Sequence, residues 1–220
     1  MSHYRVAVFH HGNPEELLRR YSETDESYFV FEPVDEADVM KRFAKFHENN
    51  PNWTYEMFAR DMYHTDDSGA IGYWYNPNAK YDYYTDIFLE DLFILKDDAE
   101  EDEARYRKSQ IDFDANPFLK PDEVLRNEWK LYSEEGDGFY SEKYYLRNYG
   151  TEEQYIREMK RPMRPYAFVT PDGEWHAPGD VGYFGTSSDN WETREKYWQE
   201  WQDFIHNEDD CYVELYDMHI

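Results

Sequence analysis

The strongest candidates for a reactive site in this sequence are histidines that have carboxylates as near neighbours in the chain. His64 precedes Asp66 and Asp67, and His176 follows Asp172 at a short distance. Imidazole and carboxylate groups together bind divalent metals, but neither arrangement has the spacing that places two ligands on one helix face. Because the chain holds 49 Asp and Glu residues, a histidine near an aspartate is expected by chance. We therefore predict no metal site and no cofactor.

Nucleophilic catalysis has no better support in the sequence. Cys211 is the only cysteine, and it lies in a predicted strand, where a thiol usually acts as a small buried apolar side chain. No serine stands in the Gly-x-Ser-x-Gly pattern of a nucleophile elbow. Paired carboxylates can act as general acid and base, yet nothing selects one pair among 49 acids. The residues therefore favour a protein that is not an enzyme.

Polar residues in turns beside apolar strands suggest an alternative, which is a ligand-binding pocket. Loops often carry binding residues, and convergent polar groups are typical of sites for small molecules or nucleotides. The same residue types also form turns without any ligand. The alternative pocket comprises Asn76, Lys80, Asp82, Asp172, Trp175 and His176.

The whole chain combines a large negative charge with many aromatic side chains. Its 220 residues include 49 acids and 23 bases, which gives a net charge of -26, and 20% of the residues are aromatic. A disordered acidic chain would be poor in aromatic residues, so this chain is expected to fold. Its surface would repel the phosphates of nucleic acid. No apolar run approaches the roughly 18 residues of a membrane-spanning helix, so we expect no membrane partner.

Carboxylates interleaved with tyrosines suit another ligand, the basic surface of a nucleic-acid-binding protein. They pair with lysine and arginine and stack on guanidinium planes, so such a surface would imitate DNA. The opposing interpretation is that the acids only keep an aromatic-rich protein soluble, and the charge run at residues 97–103 is typical of a solvated loop. The predicted partner-binding residues are Asp86, Glu90, Asp91, Asp97, Asp98, Glu100, Glu101, Asp102 and Glu103.

Helical and strand patterns are mixed along the chain that must position these groups. Tyr4–Phe9 has the pattern of a strand, and residues 211–216 alternate as a second one. Thr151 opens a capping box and so predicts the start of a helix. Asp189 predicts the start of the last helix. The side chains predicted to form the apolar stripe of that last helix are Trp191, Trp198, Trp201 and Ile205.

The order of these elements predicts the fold class. Helices and strands do not follow a strict βαβ alternation, so we predict an α+β fold with a mixed or antiparallel sheet, several helices and an acidic surface. No repeat or linker divides the chain, and we expect a single domain over residues 1–220. An acidic loop or insertion at residues 97–120 is the one candidate interruption.

Two motifs are distinctive when taken together. Residues 76–84 read Asn-Pro-Asn-Ala-Lys-Tyr-Asp-Tyr-Tyr, and residues 170–176 read Thr-Pro-Asp-Gly-Glu-Trp-His. With Asp112–Asp114 and the ending Tyr216–Ile220, they resemble a group of uncharacterised tailed-bacteriophage proteins. The resemblance is scattered over residues 72–220. It implies a phage origin and brings no activity with it.

Residues 85–91 depart from that group. The phage proteins continue the tyrosine motif with Ile-Gly-Gly-Arg-Trp, whereas this chain has Thr-Asp-Ile-Phe-Leu-Glu-Asp. If the glycines form a binding turn in the phage proteins, that turn is lost here. The acids that replace it favour an interaction surface over a small-molecule pocket.

Charge, aromatic content and the phage resemblance lead to one main hypothesis. We predict a phage accessory protein that acts against host defence in the cytoplasm of the infected cell. Its DNA-mimicking surface would bind and inhibit a basic nucleic-acid-binding host protein, such as a restriction or CRISPR nuclease, without binding nucleic acid itself. The alternative is a small-molecule or nucleotide-binding protein, or a hydrolase, with its pocket around Asp82, Asp172 and His176.

Overall fold

The computed structural model describes residues 2–97, 99, 105–182 and 186–220. The chain divides into two compact units. Unit 1 comprises Met1–Leu18 and Lys80–Ile220, and unit 2 comprises Arg19–Ala79. That the chain forms a single domain over residues 1–220 stays a prediction.

The secondary structure of the described residues contains both strands and helices. The strands are β1 (His3–His10), β2 (Val30–Pro33), β3 (His64–Thr65), β4 (Ile71–Tyr75), β5 (Tyr83–Ile87), β6 (Ile94–Leu95), β7 (Tyr106–Arg107), β8 (Ile111–Asp112), β9 (Ala167–Val169), β10 (Trp175–His176) and β11 (Tyr212–His219). The α-helices are α1 (Pro14–Arg19), α2 (Glu36–His47), α3 (Tyr55–Met62), α4 (Asp122–Glu135), α5 (Glu142–Tyr149), α6 (Glu152–Lys160) and α7 (Trp191–Ile205).

A mixed sheet forms the centre of unit 1. Its strand order is β10-β9-β1-β11-β5, and β7 also pairs with β11. Strand β1 runs antiparallel to β11, from His3 opposite His219 to His10 opposite Tyr212. It runs parallel to β9, whereas β10 and β5 are antiparallel to their neighbours. The predicted α+β class with a mixed sheet and several helices is therefore confirmed.

The main core of unit 1 lies between α7 and one face of this sheet. Phe9 of β1, Phe168 of β9 and Trp201 of α7 are fully buried. The ring centroid of Trp201 lies 6.0 Å from that of Phe9 and 5.3 Å from that of Phe168. Aromatic pairs at these distances add to the free energy gained by burying apolar area. Aromatic side chains therefore fill much of the interior.

The apolar stripe of α7 is only partly the predicted one. Trp201 and Ile205 are buried as expected, but Trp191 is 38% exposed and Trp198 is only half-buried. Tyr197 takes the buried position one turn before Trp201, since residues four apart share a helix face. Trp198 packs at the edge of this core, and the guanidinium groups of Arg161 and Arg164 lie over its ring.

The start of α7 also differs from the prediction. Asn190, rather than Asp189, is the N-cap, and its side chain accepts hydrogen bonds from the backbone of Glu192 and Thr193. Asp189 is fully buried, and it accepts a hydrogen bond from Arg194 at 2.6 Å. A carboxylate in this position binds a cation of the helix and leaves the capping to its neighbour.

A second core of unit 1 packs α4, α5 and α6 together. The buried side chains of this core are Leu125, Trp129, Tyr145, Tyr155 and Ile156. Helix α6 begins with the predicted capping box, in which Thr151 and Gln154 satisfy each other's backbone N–H groups. This box determines where α6 begins, and the functional region described below follows its end.

Unit 2 has its own small core. Its sheet has the order β2-β4-β3, and Val39 of α2, Phe58 of α3 and Tyr63 are buried together. Asp35 and Thr54 cap the two helices by accepting hydrogen bonds from backbone N–H groups. Short polar side chains at these positions satisfy donors that each helix start leaves free.

The predicted acidic loop at residues 97–120 is described only in part. From Arg105 onward the chain forms β7, which pairs with β11, and β8, which pairs with β6. Asp98 and residues 100–104 lie outside the described residues. Among the helices that are described, none has both the length and the apolar character needed to cross a membrane.

Candidate anion-binding cleft

A cavity in unit 1 gathers positive charge in a chain whose net charge is -26. Its volume is about 480 Å³, within the roughly 300–1,000 Å³ that is typical of small-molecule sites. Lys120, Arg161, Arg164 and Arg194 line it, and among the described lining residues only Glu158 is acidic. We call this cavity the arginine cleft.

A neighbouring depression, which shares Arg161, continues the positive surface. Its lining adds further charged side chains, namely Arg126, Arg157, Lys160, Glu153 and Glu195. Together the two cavities are lined by seven bases and three acids, whereas the whole chain has 23 bases and 49 acids. Each of these bases is also paired with a carboxylate, and four of the partners lie outside the lining, namely Asp122, Glu128, Glu152 and Asp189. The reversed ratio therefore describes the side chains that line the two cavities.

The backbone after α6 brings two arginines to the cleft. Helix α6 ends at Lys160, and Arg161 follows with an extended backbone at φ -62° and ψ 146°. Pro162 and Pro165 have a fixed φ and no N–H, so they cannot continue the helix. Arg161 and Arg164 therefore stand on a stiff extended segment that leads directly into β9.

Asn116 fastens this segment to the rest of unit 1. Its side-chain amide donates to the carbonyl oxygens of Met159 and Arg161 at 3.3 and 2.8 Å. The backbone N–H of Met163 donates to the carbonyl of Ala115 at 3.2 Å. These bonds satisfy acceptors that the end of α6 leaves free, and they hold the arginine-bearing backbone in place.

Two carboxylates hold three arginines beside the cleft. Glu158 accepts hydrogen bonds from Arg161 and Arg164, while Glu195 accepts them from Arg157 at 3.0 Å and Arg161 at 2.6 Å. The side chains of Arg161 and Arg164 are only 6% and 14% exposed. One positive charge of this network is uncompensated, and each guanidinium has five N–H donors. An oxyanion would supply the missing negative charge and accept from the remaining donors.

Trp198 and Asp189 restrict the movement of these arginines. The guanidinium carbons of Arg161 and Arg164 lie 4.8 and 5.1 Å from the ring centroid of Trp198. Arg194 is held by the fully buried Asp189 at 2.6 Å. Cations that are already ordered lose less conformational freedom when a ligand binds. The cleft is therefore preorganised for an anion.

Glu195 beside the cleft and Arg194 in its wall both stay ionised near neutral pH. Burial acts to raise the pKa of Glu195, but the hydrogen bond and charge of Arg161 hold the pKa below its ordinary value. Burial acts to lower the pKa of Arg194, and Tyr149 and Asp189 together raise it above its ordinary value. Both groups therefore stay ionised where a ligand would meet them.

Aromatic side chains complete the wall and rim. Phe118 lines the cleft and is 70% exposed. The hydroxyl of Tyr197 donates to the carbonyl of Pro165 at 2.9 Å, and that of Tyr166 donates to Gly179 at 3.1 Å. An exposed ring beside cations is the combination that a nucleotide uses, because its phosphate binds guanidinium groups and its base stacks on aromatic rings.

The structure describes four of the predicted partner-binding residues, three of which lie on β5 or just after it. Asp86 belongs to β5, Glu90 and Asp91 to a 3-10 helix after it, and Asp97 follows β6. All four are exposed, and we call them the acidic edge. The remaining predicted residues lie outside the described residues, and these are Asp98, Glu100, Glu101, Asp102 and Glu103.

Tyr84 shows how a phenol is surrounded by carboxylates at this edge. It shares a face of β5 with Asp86, since residues two apart on a strand point to the same side. Burial, followed by the negative charges of Glu15, Asp86 and Glu214, raises the pKa of Tyr84. The negative charges of three carboxylates therefore act on this phenol.

The six residues of the alternative pocket are divided between the two units. Asn76 belongs to unit 2, where its buried side chain donates to the carbonyl oxygens of Arg20 and Ser22, each at 2.9 Å. This pattern is typical of a residue that closes a turn. Lys80 belongs to unit 1 and forms an ion pair with Asp180 at 2.6 Å.

Tyr4 brings Lys80 and Trp175 together within unit 1. Its hydroxyl donates to the carbonyl of Lys80, and its ring meets that of Trp175 edge-on at a centroid distance of 6.5 Å. Trp175 and His176 are consecutive in β10, so they face opposite sides of the sheet. His176 stacks on Phe168 at 4.5 Å, on the side of the α7 core.

The two aspartates of the alternative pocket lie in turns. Asp172 accepts a hydrogen bond from the hydroxyl of Thr170, and this bond lowers the pKa of Asp172. Asp82 is exposed, and its backbone N–H donates to the carbonyl of His219 at 2.8 Å. None of the six residues lines the arginine cleft or the neighbouring depression.

The arginine cleft was missed at the level of sequence, because Lys160, Arg161 and Arg164 match no binding motif. One signal could have found it. Residues 161–165 read Arg-Pro-Met-Arg-Pro, which places two cations on a stiff non-helical segment of a very acidic chain.

Comparisons of this chain with protein-family models, with curated proteins and with solved structures found no significant match. Its function therefore has to be inferred from its own residues and their geometry.

Proposed function

We propose that this protein binds a small oxyanion-bearing molecule, with nucleotides as the favoured class, in the arginine cleft. The observation that carries the proposal is the reversed charge ratio, with seven bases and three acids lining the two cavities. A small-molecule or nucleotide-binding protein was also the alternative predicted from the sequence. The pocket proposed here contains Arg161 and Arg164 instead of the residues of that prediction. The exposed ring of Phe118 favours a ligand that also has a flat apolar group.

Ligand binding is tested with defined anions at constant ionic strength. The probes are inorganic phosphate, pyrophosphate, AMP, ATP and citrate, followed by melting temperature and by calorimetric titration. We expect a nucleotide to raise the melting temperature and phosphate to compete with it. Citrate distinguishes a general oxyanion site from one that uses the base, because it carries charge without a ring.

Two matched variants separate the cleft from general charge effects. Arg164→Gln removes a largely buried cation of the cleft, and we expect it to weaken nucleotide binding at least tenfold. Arg107→Gln removes an exposed arginine that pairs with Asp210 at 3.6 Å, so it should leave binding unchanged. The proposal fails if no probe binds beyond the effect of matched chloride, or if both variants weaken binding equally.

A second candidate function is the binding of a basic host protein by the acidic edge, and Tyr84 with its three carboxylates favours it. In this view the protein is a phage anti-defence factor, and its exposed acids occupy the surface on which a restriction or CRISPR nuclease binds DNA. Such binding would weaken as salt rises, because the attraction is between exposed charges.

The second function is tested by inhibition of DNA cleavage with a panel of purified restriction and CRISPR nucleases. We expect inhibition of at least one nuclease at low salt, and its loss in the triple variant Asp86→Asn, Glu90→Gln, Asp91→Asn. The control neutralises three exposed acids of α4, and its substitutions are Glu123→Gln, Glu134→Gln and Glu135→Gln. Equal effects of the two triple variants would mean that only net charge matters.

A further inference from the structure

Two histidines and an aspartate meet where the first and last strands of unit 1 end. His3 and His219 stand directly opposite each other in the antiparallel β1–β11 pair. Asp217 stands two residues before His219, so all three side chains lie on the same face of the sheet. Their ligand atoms all lie within 4.8 Å of one another.

The strand pairing fixes the backbone beneath this group on both sides. The backbone groups of Ser2 and Ile220 exchange two hydrogen bonds, at 3.1 and 3.2 Å. The carbonyl oxygen of His219 accepts the N–H of Asp82 at 2.8 Å. The three side chains therefore stand on paired strands, which position groups more precisely than loops do.

His219 is the independent indication that this group has a ligand. It is only 6% exposed, and neither of its ring nitrogens has a hydrogen-bond partner among the described residues. A buried polar group without a partner destabilises the fold, so such groups in a folded protein call for an explanation. The ring is also held in position, since Tyr83 stacks on it at 4.0 Å and His3 meets it edge-on at 3.9 Å.

The distances fit a small divalent ion. Nδ1 of His3 lies 3.0 Å from Oδ2 of Asp217, and Nε2 of His219 lies 3.7 Å from the same oxygen. A tetrahedral ion with bonds of about 2.0–2.2 Å places its ligand atoms roughly 3.3–3.6 Å apart. Only small movements of the side chains would complete such a site.

We infer that His3, Asp217 and His219 bind a divalent transition-metal ion of the Zn²⁺ class. Two imidazoles and one carboxylate suit such ions, whereas Mg²⁺ and Ca²⁺ prefer oxygen ligands alone. The side chain of His3 is 53% exposed, so water completes the coordination on that side. Sequence spacing does not indicate this site, because its histidines come from opposite ends of the chain.

The test is a Zn²⁺ titration of the full chain without a polyhistidine tag, in competition with a coloured chelator. We expect one equivalent to bind with a dissociation constant in the micromolar range or below, and excess Mg²⁺ not to displace it. His3→Gln and Asp217→Asn should each weaken binding at least tenfold. His3 is exposed, so His3→Gln is not expected to unfold the chain, and circular dichroism checks this.

The matched control is His11→Gln. His11 and Asp209 form an exposed pair at 3.4 Å, and we expect its removal to leave Zn²⁺ binding unchanged. A melting temperature that rises with Zn²⁺ in the wild type and in His11→Gln, but not in His3→Gln, would support the site. Binding that survives both His3→Gln and Asp217→Asn, or that is lost equally in His11→Gln, would overturn the inference, as would the absence of Zn²⁺ binding.

Discussion

The arginine cleft and the acidic edge belong to the same unit, but the charges of the cleft are largely buried and those of the edge are exposed. In the cleft, Arg161 and Arg164 are largely buried and Glu158 binds both of them. At the edge, Asp86 and Asp91 are exposed to solvent. The cleft segment leads into β9, and β5 lies beyond the β1–β11 pair in the sheet order. Within unit 1, the arginines of the cleft thus precede β9, whereas the acids of the edge lie on or after β5.

The two sets of charges therefore contribute to the stability of the fold in different ways. A buried charge is tolerated only with its partner, whereas a solvated charge contributes little to stability. Changes in the cleft should therefore affect folding and binding together. Changes at the edge should affect binding and leave the fold intact.

The largest expected effect comes from Glu158→Gln. This change leaves the buried guanidinium groups of Arg161 and Arg164 without the carboxylate they share, and removal of one partner from a buried ion pair costs about 3–5 kcal/mol. Urea denaturation should show a loss of this size in the free energy of unfolding. The control is Glu152→Gln, whose partner Arg126 is 57% exposed, and it should cost less than about 1 kcal/mol.

The same variant links stability to the ligand. Inorganic phosphate can take the place of the missing carboxylate, so it should stabilise Glu158→Gln more than the wild type. If Glu158→Gln were as stable as Glu152→Gln, the charges of the cleft would contribute no more to stability than solvated charges do.

Some elements of the fold were predictable because they depend on the order of neighbouring residues. The strand at Tyr4–Phe9 and the capping box at Thr151 depend on residues close in sequence, and both are present. The position of β1 between β9 and β11 was not predictable. It depends on Val6 pairing with Ala167 and with Tyr216, which are contacts between distant parts of the chain. No spacing pattern records such contacts.

The candidate site was harder to predict for the same reason. Asn116 reaches the end of α6 across more than 40 residues of sequence, and Glu195 joins Arg161 from another helix. Only the Arg-Pro-Met-Arg-Pro segment carries a local trace of the cleft. The acids of the edge, by contrast, lie within one short stretch of the sequence.

A smaller effect is expected for Glu195→Gln, and it depends on pH. The pKa of Glu195 is lowered from 4.5 in the folded protein, so its contribution to stability is present above that value and is lost as pH falls through the folded pKa. Near neutral pH the variant should be less stable by no more than about 1 kcal/mol, because this side chain is partly solvated. Denaturation curves should show the gap closing in acid. A gap independent of pH would mean that packing, not charge, makes the contribution.

Neutralising acids of the acidic edge is expected to change stability even less. The triple variant Asp86→Asn, Glu90→Gln, Asp91→Asn should melt at the same temperature as the wild type or slightly above it, because neutralising these acids relieves repulsion in a chain of net charge -26. Added salt should narrow any difference, since it screens exposed charges. Thermal melts at two salt concentrations check this. The hydroxyl of Tyr106 donates to Glu90 at 2.9 Å, and the amide oxygen of Gln can accept the same bond. A clear loss of stability would therefore show that the charges of the edge acids are structural, as those of the cleft are.

The smallest expected effect is a shift in the pKa of Tyr84. Burial and the charges of Glu15, Asp86 and Glu214 raise the pKa of Tyr84, and a negative charge disfavours the tyrosinate form, so Asp86→Asn should lower this pKa. Asp91→Asn removes the same charge without touching that group and should leave the pKa of Tyr84 unchanged. Carbon NMR of labelled tyrosine during an alkaline titration measures both. Equal shifts would mean that Tyr84 senses the diffuse charge of the whole chain, which is the property of a solubilising coat. A shift confined to Asp86→Asn would mean that the edge is a local surface, able to present carboxylates and a phenol together to one basic partner.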